Sequence, residues 1–228
     1  IRDSTDEGRK ATWIIEVDCK RKPEAQVLGS AIGMKVMEDV PYIKGLDRWL
    51  GRELTPGTQD YLKDMGAASA SNGAVGLYHV DGITPEAVEQ GEHLIAPDAR
   101  IYRIDDAELE RIRSSYPVMW KNPGARPKLA FIGCPHLSSA QLAHWADAIC
   151  DGLSASGKCR VQVPTVLTAA PSVADAFRKT AAYRRLSTTG AVVSSICPLM
   201  YTNNPLCGSM PIITNSNKLR TYSASRYY

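Results

Sequence analysis

With 228 residues, 44% of them hydrophobic and 22% charged, the chain can fill one large or two small globular domains with a sizeable core. A net charge of +3, spread without any run of five like charges, leaves no electrostatic footprint for nucleic acid. No window holds the roughly 18 apolar residues of a membrane span, the polar start IRDSTDEGRKATW lacks a signal peptide's apolar core, and the missing initiator Met points to a trimmed or partial chain.

Strand-like and helix-like runs then alternate. TWIIEV (12–17) reads as a strand. PEAQVLGSAIGMKVMEDV (23–40) reads as a helix with Val27, Leu28, Ala31, Ile32 and Val36 on one face, Pro23 in its first turn and Pro41 as its stop. DYLKDMGAASAS reads as a helix running into a loop of small residues. AVGLYHV (74–80) is a predicted strand, and TPEAVEQG (84–91) a helix with Thr84 as N-cap and Pro85 at the first position. ARIYRI (99–104) is a strand and DDAELERIRSSY (105–116) a helix.

KNPGARPK (121–128) is the predicted boundary between a first unit, 1–122, and a second, 123–228. KLAFIG (128–133) is a strand, and Ser138 with Gln141 forms a capping-box pair ahead of a helical stripe from Leu142 to Leu153. CRVQV (159–163) reads as a strand, and Ser172 with Asp175 as the start of a helix continuing through Thr180 and Ala181. AVVSSI (191–196) and MPIIT (210–214) are further short strands. Strands separated by helices predict crossover units and a parallel sheet, an α/β fold in which ligands bind beyond the carboxyl ends of the strands.

That rule selects four clusters: Cys134-Pro135-His136, Cys197-Pro198, His79 leading to Thr84, and Thr214-Asn215-Ser216. A thiolate at Cys134 or Cys197 can ligate a soft metal or an iron–sulfur cluster, or each can be a buried inert cysteine. Their separation matches no recognised ligand motif. Cys207, in a Gly/Pro-rich loop, is a weaker third ligand; Cys150 reads as core filler, and Cys19 and Cys159 as structural. With no CxxC and few cysteines for this length, the thiols are expected to be reduced and the protein cytoplasmic. His136 and His79 can each donate to a substrate or merely fix a loop, whereas His93 and His144 read as surface residues. Ser216 and Lys218, with Asn215, Asn217 and Arg220, can grip an anionic substrate or form an ordinary helix cap. Asp6, Glu7 and Arg9 are either site residues or a solvated turn. The common nucleotide and hydrolase fingerprints are absent.

The segments TDEGRKAT, LGSAIGMKV, SNGAVGLYHVDGITPEA, FIGCPHLS, CPLMYTNNPL and ITNSNKLRTYSASRYY occur in an order that resembles the aconitase X family, most closely its single-chain type, the cis-3-hydroxy-L-proline dehydratases. The resemblance implies an aconitase-like catalytic domain of mostly parallel sheets flanked by helices. It implies an iron–sulfur cluster, of 2Fe-2S or of 3Fe/4Fe type, and dehydration of cis-3-hydroxy-L-proline to 1-pyrroline-2-carboxylate. A second branch of the family dehydrates mevalonate 5-phosphate and is usually split into two subunits; a third reading is a non-catalytic subunit that keeps the fold. Carried onto this sequence, the resemblance makes Cys134 and Cys197 cluster ligands. It makes Ser216, Lys218 and His79 catalytic residues, and Asn215, Thr214, His136, Thr84, Arg9 and Asp6 substrate contacts. Complete members are longer. The expected partners are therefore a small hydroxy acid and the remaining part of the polypeptide or a small swivelling subunit, without which the chain is not expected to be fully active.

Overall fold

The computed structural model describes residues 5–117, 120–202, 204–205 and 207–224. The chain divides into two compact units, Ile1–Pro117 and Val118–Tyr228. Each is an α/β unit built on a four-stranded, all-parallel sheet.

In the first unit, β1 (Ala11–Val17) is central. Ala11, Trp13, Ile15 and Val17 are buried and the residues between them half-buried, as expected of a strand covered on both faces. It pairs with β2 (Pro41–Lys44) on one side and β4 (Ile95–Ile104) on the other, and β3 (His79–Val80) lies beyond β2. Helix α1 (Ala25–Val36) is capped by Glu24, whose carboxylate accepts from the Val27 N–H at 2.8 Å. It ends at Met37, short of the expected Pro41, because Pro41 to Lys44 is needed as a strand; that apolar run is too short to show a period of its own. A short helix α2 (Asp47–Leu50) precedes α3 (Pro56–Gly73).

The stretch GAASASNG, expected as a loop, is helical. Its small residues let α3 lie directly on α1: a Cβ on Gly73 would sit 1.9 Å from the Gly33 carbonyl oxygen, and one on Gly29 2.1 Å from that of Met65. Only two residues of the expected strand 74–80 pair, because α3 continues to Gly73 and Ala74 closes it with left-handed geometry. Helices α4 (Pro85–Gln90) and α5 (Asp106–Ser114) complete the unit, the latter capped by Asp105.

In the second unit, β5 (Leu129–Leu137) is central and runs through Cys134 and His136. Helix α6 (Ser139–Ala155) opens on the expected capping box, with the Gln141 N–H donating to Ser138 Oγ at 3.2 Å and the Ser138 N–H to Gln141 Oε1 at 3.1 Å. The next strand is β6 (Thr165–Ala169), not 159–163: all five residues of TVLTA are buried, whereas CRVQV alternates like a strand but stays at the surface. Ser172 is not a cap. Ala170 and Pro171 start α7 (Pro171–Phe177), and the chain breaks before α8 (Ala181–Thr188), where Thr180 accepts from the Tyr183 N–H at 3.1 Å. Strand β7 (Val192–Ser194), α9 (Pro198–Thr202), β8 (Ile212–Thr214) and α10 (Asn217–Ala224) follow.

The strand orders are β3-β2-β1-β4 and β7-β6-β5-β8. In both units the second and third strands step outward from the first and the fourth returns to its other side. This places a topological switch point beyond the carboxyl ends of β1 and β4 in one unit and of β5 and β8 in the other. Among the described residues no helix is long and apolar enough to cross a membrane.

Candidate active site

The switch point of the second unit is where β5 and β8 end side by side. Gly133 has φ +104°, and a Cβ there would lie 2.7 Å from both the Leu137 side chain and the Thr168 carbonyl oxygen, so glycine is required. Its N–H donates to Asn215 Oδ1 at 3.2 Å, and its carbonyl accepts from the Thr168 hydroxyl. One residue on, the Cys134 carbonyl accepts from the Ser216 hydroxyl. Ser216, only 2% exposed, also caps α10 by accepting from the Leu219 N–H at 2.9 Å, and its own N–H donates to Thr214 Oγ1 at 3.0 Å. The polar run after β8 is therefore both a helix cap and a stitch to the strand end that carries Cys134.

The Cys134 thiol is buried, and that burial pushes its pKa up. A hydrogen bond from Ser216 and the positive charge of Lys218 pull it back, and the nearby Cys197 thiol raises it. Residues from three separate stretches of sequence thus act on one thiol. Cys197 is exposed at the entrance to α9, where its carbonyl accepts from the Met200 N–H at 2.9 Å. Cys207 is half-buried and packs on the same apolar cluster as Cys134, with Phe131 and Leu219. Among the described residues, no three His, Cys, Asp or Glu side chains gather as a metal-binding group.

His136 is half-buried inside β5, two residues past Cys134. Lys218 lies over the Tyr222 ring at 5.8 Å, and the Arg220 guanidinium binds Asn217 Oδ1 at 2.6 and 3.1 Å. Three contributors lie outside the clusters that the strand-end rule selects. Gly133 and Thr168 shape the strand end; the Gly before Cys134 inside a strand pattern is the signal for the first, and nothing local marks the second. Tyr201 lies within 3.1 Å of the Ser194 hydroxyl and packs on Phe131, tying the end of β7 to α9 beside Cys197.

The first unit places its candidates differently. His79 opens a two-residue strand rather than ending a long one; its ring is fully buried, with Nε2 2.8 Å from the Arg9 carbonyl oxygen. Thr84 occupies the N-cap position of α4 but its hydroxyl serves Val80, accepting from the N–H at 2.9 Å. Asp6 is exposed at the start of the short 3-10 turn Glu7–Arg9. The switch point here holds Cys19, which donates to the Ile104 carbonyl at 3.6 Å. Burial, Asp106 and Asp105 push its thiol up. The geometry of the two sulfurs therefore predicts an order of native alkylation by iodoacetamide: Cys197 early, Cys19 last. Peptide mapping that finds Cys19 modified as fast as Cys197 would contradict this assignment of a closed first switch point.

Two family models match the chain: the aconitase X second domain over residues 11–114 and the aconitase X third domain over 127–227. The chain is 32% identical to the phosphomevalonate dehydratase large subunit of Thermococcus kodakarensis, over 96% of its own length and 52% of that protein. It is 30% identical to the cis-3-hydroxy-L-proline dehydratase of Pseudomonas aeruginosa, over 96% of its length and 36% of that protein. The crystal structure of Thermococcus kodakaraensis aconitase X in its holo-form superposes with a TM-score of 0.71 at 30% identity, covering 98% of this chain and 52% of that one. The chain thus spans about half, or less, of the length of these relatives. With both domain models matched in order and the fold shared, the chain belongs to the aconitase X family, whose curated relatives here are dehydratases.

Proposed function

We propose that this chain forms part of a dehydratase that removes water from cis-3-hydroxy-L-proline, giving 1-pyrroline-2-carboxylate after tautomerisation of the enamine. The observation that carries the reading is the junction at the switch point of the second sheet, where the Ser216 hydroxyl binds the Cys134 carbonyl and the Asn215 amide binds the preceding Gly133 N–H. The donor set suits an iron–sulfur cluster in part: it offers two free thiols, Cys134 buried and Cys197 exposed, and since no three His, Cys, Asp or Glu side chains gather among the described residues, a third ligand has to come from elsewhere. In this reading Cys134 and Cys197 hold the cluster, which supplies the Lewis acid that a hydroxide leaving group needs. Lys218 and the Asn215 amide bind the substrate carboxylate and balance the charge that develops when the alpha proton leaves. Ser216, with its hydroxyl engaged by the Cys134 carbonyl and the Leu219 N–H, holds the cysteine and the helix start in place. His136 and Thr214 are the further candidates for substrate contact in this unit. The rest of the polypeptide or a partner subunit supplies what these units lack.

Lys218 is the cation that acts on Cys134. The amino-acid substrate is favoured by the order of sequence motifs, which most closely resembles the cis-3-hydroxy-L-proline dehydratases. A second reading, mevalonate 5-phosphate, is favoured by the similarity to the Thermococcus kodakarensis large subunit. Assaying both compounds with the completed protein separates the two, and turnover of the phosphate alone would reverse the assignment. Anaerobic reconstitution with iron and sulfide tests the site itself: Cys134→Ser and Cys197→Ser are each expected to abolish most of the cluster's absorption and spin-resonance signal. Retention of both spectra would remove these cysteines as ligands, and a wild-type protein that takes up no iron would favour a non-catalytic subunit.

A further inference from the structure

A cleft of about 600 Å³ lies in the second unit between the last turns of α6, the loop that follows it, and the length of α8. Both helices run back from their strands, so the cleft borders the loops feeding the amino ends of β6 and β7, the edge of the sheet opposite Cys134. Its size falls in the range of small-ligand sites. Two thiols line it, Cys150 on α6 and Cys159 in the following loop; Cys150 is half-buried, Cys159 is exposed, and both are free. Three cations line it as well, Lys158, Arg184 and Arg185, and no carboxylate does. Arg185 is held by Asp147, whereas Lys158 and Arg184 have no ion-pair partner among the described residues. Cations at helix C-termini offset the carbonyl ends of the dipoles. That role does not account for two thiols in the same concavity.

We propose that this cleft is a thiol-modification site that takes an anionic low-molecular-weight disulfide, with Cys159 as the reacting residue. The unpaired Lys158 and Arg184 draw the carboxylates of the disulfide to the exposed thiol. The Cys159 thiolate attacks one sulfur of the incoming S–S bond. A Cys159–sulfur bond forms, the original S–S bond breaks, and the other half leaves as a thiolate that takes up a proton. The Cys159 sulfur rises from the thiol to the disulfide level as the departing sulfur falls from the disulfide to the thiol level, so no further oxidant is required. The site is independent of the proposed dehydration, since it shares no residue with the switch point.

The test uses the full chain with two reagents, glutathione disulfide (anionic) and bis(2-hydroxyethyl) disulfide (neutral), and scores each cysteine by peptide mapping. The anionic-to-neutral rate ratio at Cys159 is expected to exceed that at the exposed Cys197 by about tenfold, the low end of electrostatic steering. It should collapse to the Cys197 value in Lys158→Gln/Arg184→Gln. In the unaltered protein, salt at about 0.5 M should lower it in the same way, which covers the case of a misfolded variant. Equal ratios at Cys159 and Cys197, or a Cys159 preference unchanged by both the double substitution and salt, would overturn the proposal.

Discussion

Gly73→Ala is expected to destabilise the first unit by roughly 3 kcal/mol, at the upper end of what overpacking a core costs. The added methyl carbon would lie 1.9 Å from the Gly33 carbonyl oxygen, and that atom cannot rotate away because it is backbone. Neither helix can easily retreat. Leu28, Ala31 and Ile32 on α1, and Met65 and Ala68 on α3, are all buried to within 1%. A movement that relieved the clash would open gaps along the whole seam, where a Cβ on Gly29 or Gly33 would also lie within 2.1 Å of the Met65 or 2.5 Å of the Ser69 carbonyl oxygen. The gain in helix propensity from glycine to alanine, at most about 1 kcal/mol, offsets only part of this. Gly152 in α6 is the control: nothing lies within 4 Å of a Cβ there, so Gly152→Ala should stabilise by about 0.5–1 kcal/mol. Urea midpoints measure both. A Gly73→Ala midpoint within error of the unaltered chain would show that the seam is looser than its geometry indicates.

The same seam explains why part of this fold was hidden in the sequence. GAASASNG has the composition of a loop, and only its fit against Gly29 and Gly33 of another helix makes it helical. The capping box at Ser138 and Gln141 was legible because all of its interactions are local. Thr84 shows the limit of that logic: it stands at the N-cap position, yet its hydroxyl is taken by Val80 across a tight turn that no spacing rule selects. CRVQV and TVLTA differ in what covers them rather than in alternation, and cover is a tertiary property. For the candidate site, the strand-end rule could be applied to the sequence because it depends only on strand direction. It collected Cys134, Cys197 and Ser216, which the sheet then brought to one end. It also collected His79, whose buried ring serves the Arg9 backbone.

The two switch points show how one topology can carry different chemistry. Each unit places a cysteine at the end of its central strand, and in each the helix after the neighbouring strand is capped from that strand's end. In the first unit Asp106 and Asp105 disfavour a thiolate and Arg48 partly offsets them. In the second Ser216 and Lys218 favour it and Cys197 opposes them. The difference resides in three or four side chains at strand ends, not in the sheets.

Ser216→Ala is the substitution that should expose this dependence most directly. Loss of the hydroxyl would leave the Leu219 N–H and the Cys134 carbonyl without their partner, both in a buried setting. Losing the cap costs about 1 kcal/mol, and leaving a buried acceptor unmade roughly 1–2 kcal/mol more. Local stability near α10 should therefore fall by about 2–3 kcal/mol. The thiol responds as well. Ser216 and Lys218 are the two groups that lower the Cys134 pKa against its burial, so removing one raises it further. The thiolate then forms only at higher pH, and alkylation of Cys134 followed across a pH series should begin later than in the unaltered protein. If Cys134 holds iron, weakening a group that orients a ligand should reduce metal retention by about 10–100-fold. Lys218→Gln separates the two effects: it removes the charge and keeps the cap, so it should shift the alkylation profile in the same direction with little change in melting. A Ser216→Ala protein that melts early but alkylates at Cys134 with an unshifted pH profile would reduce Ser216 to a helix cap and detach it from the chemistry of the thiol.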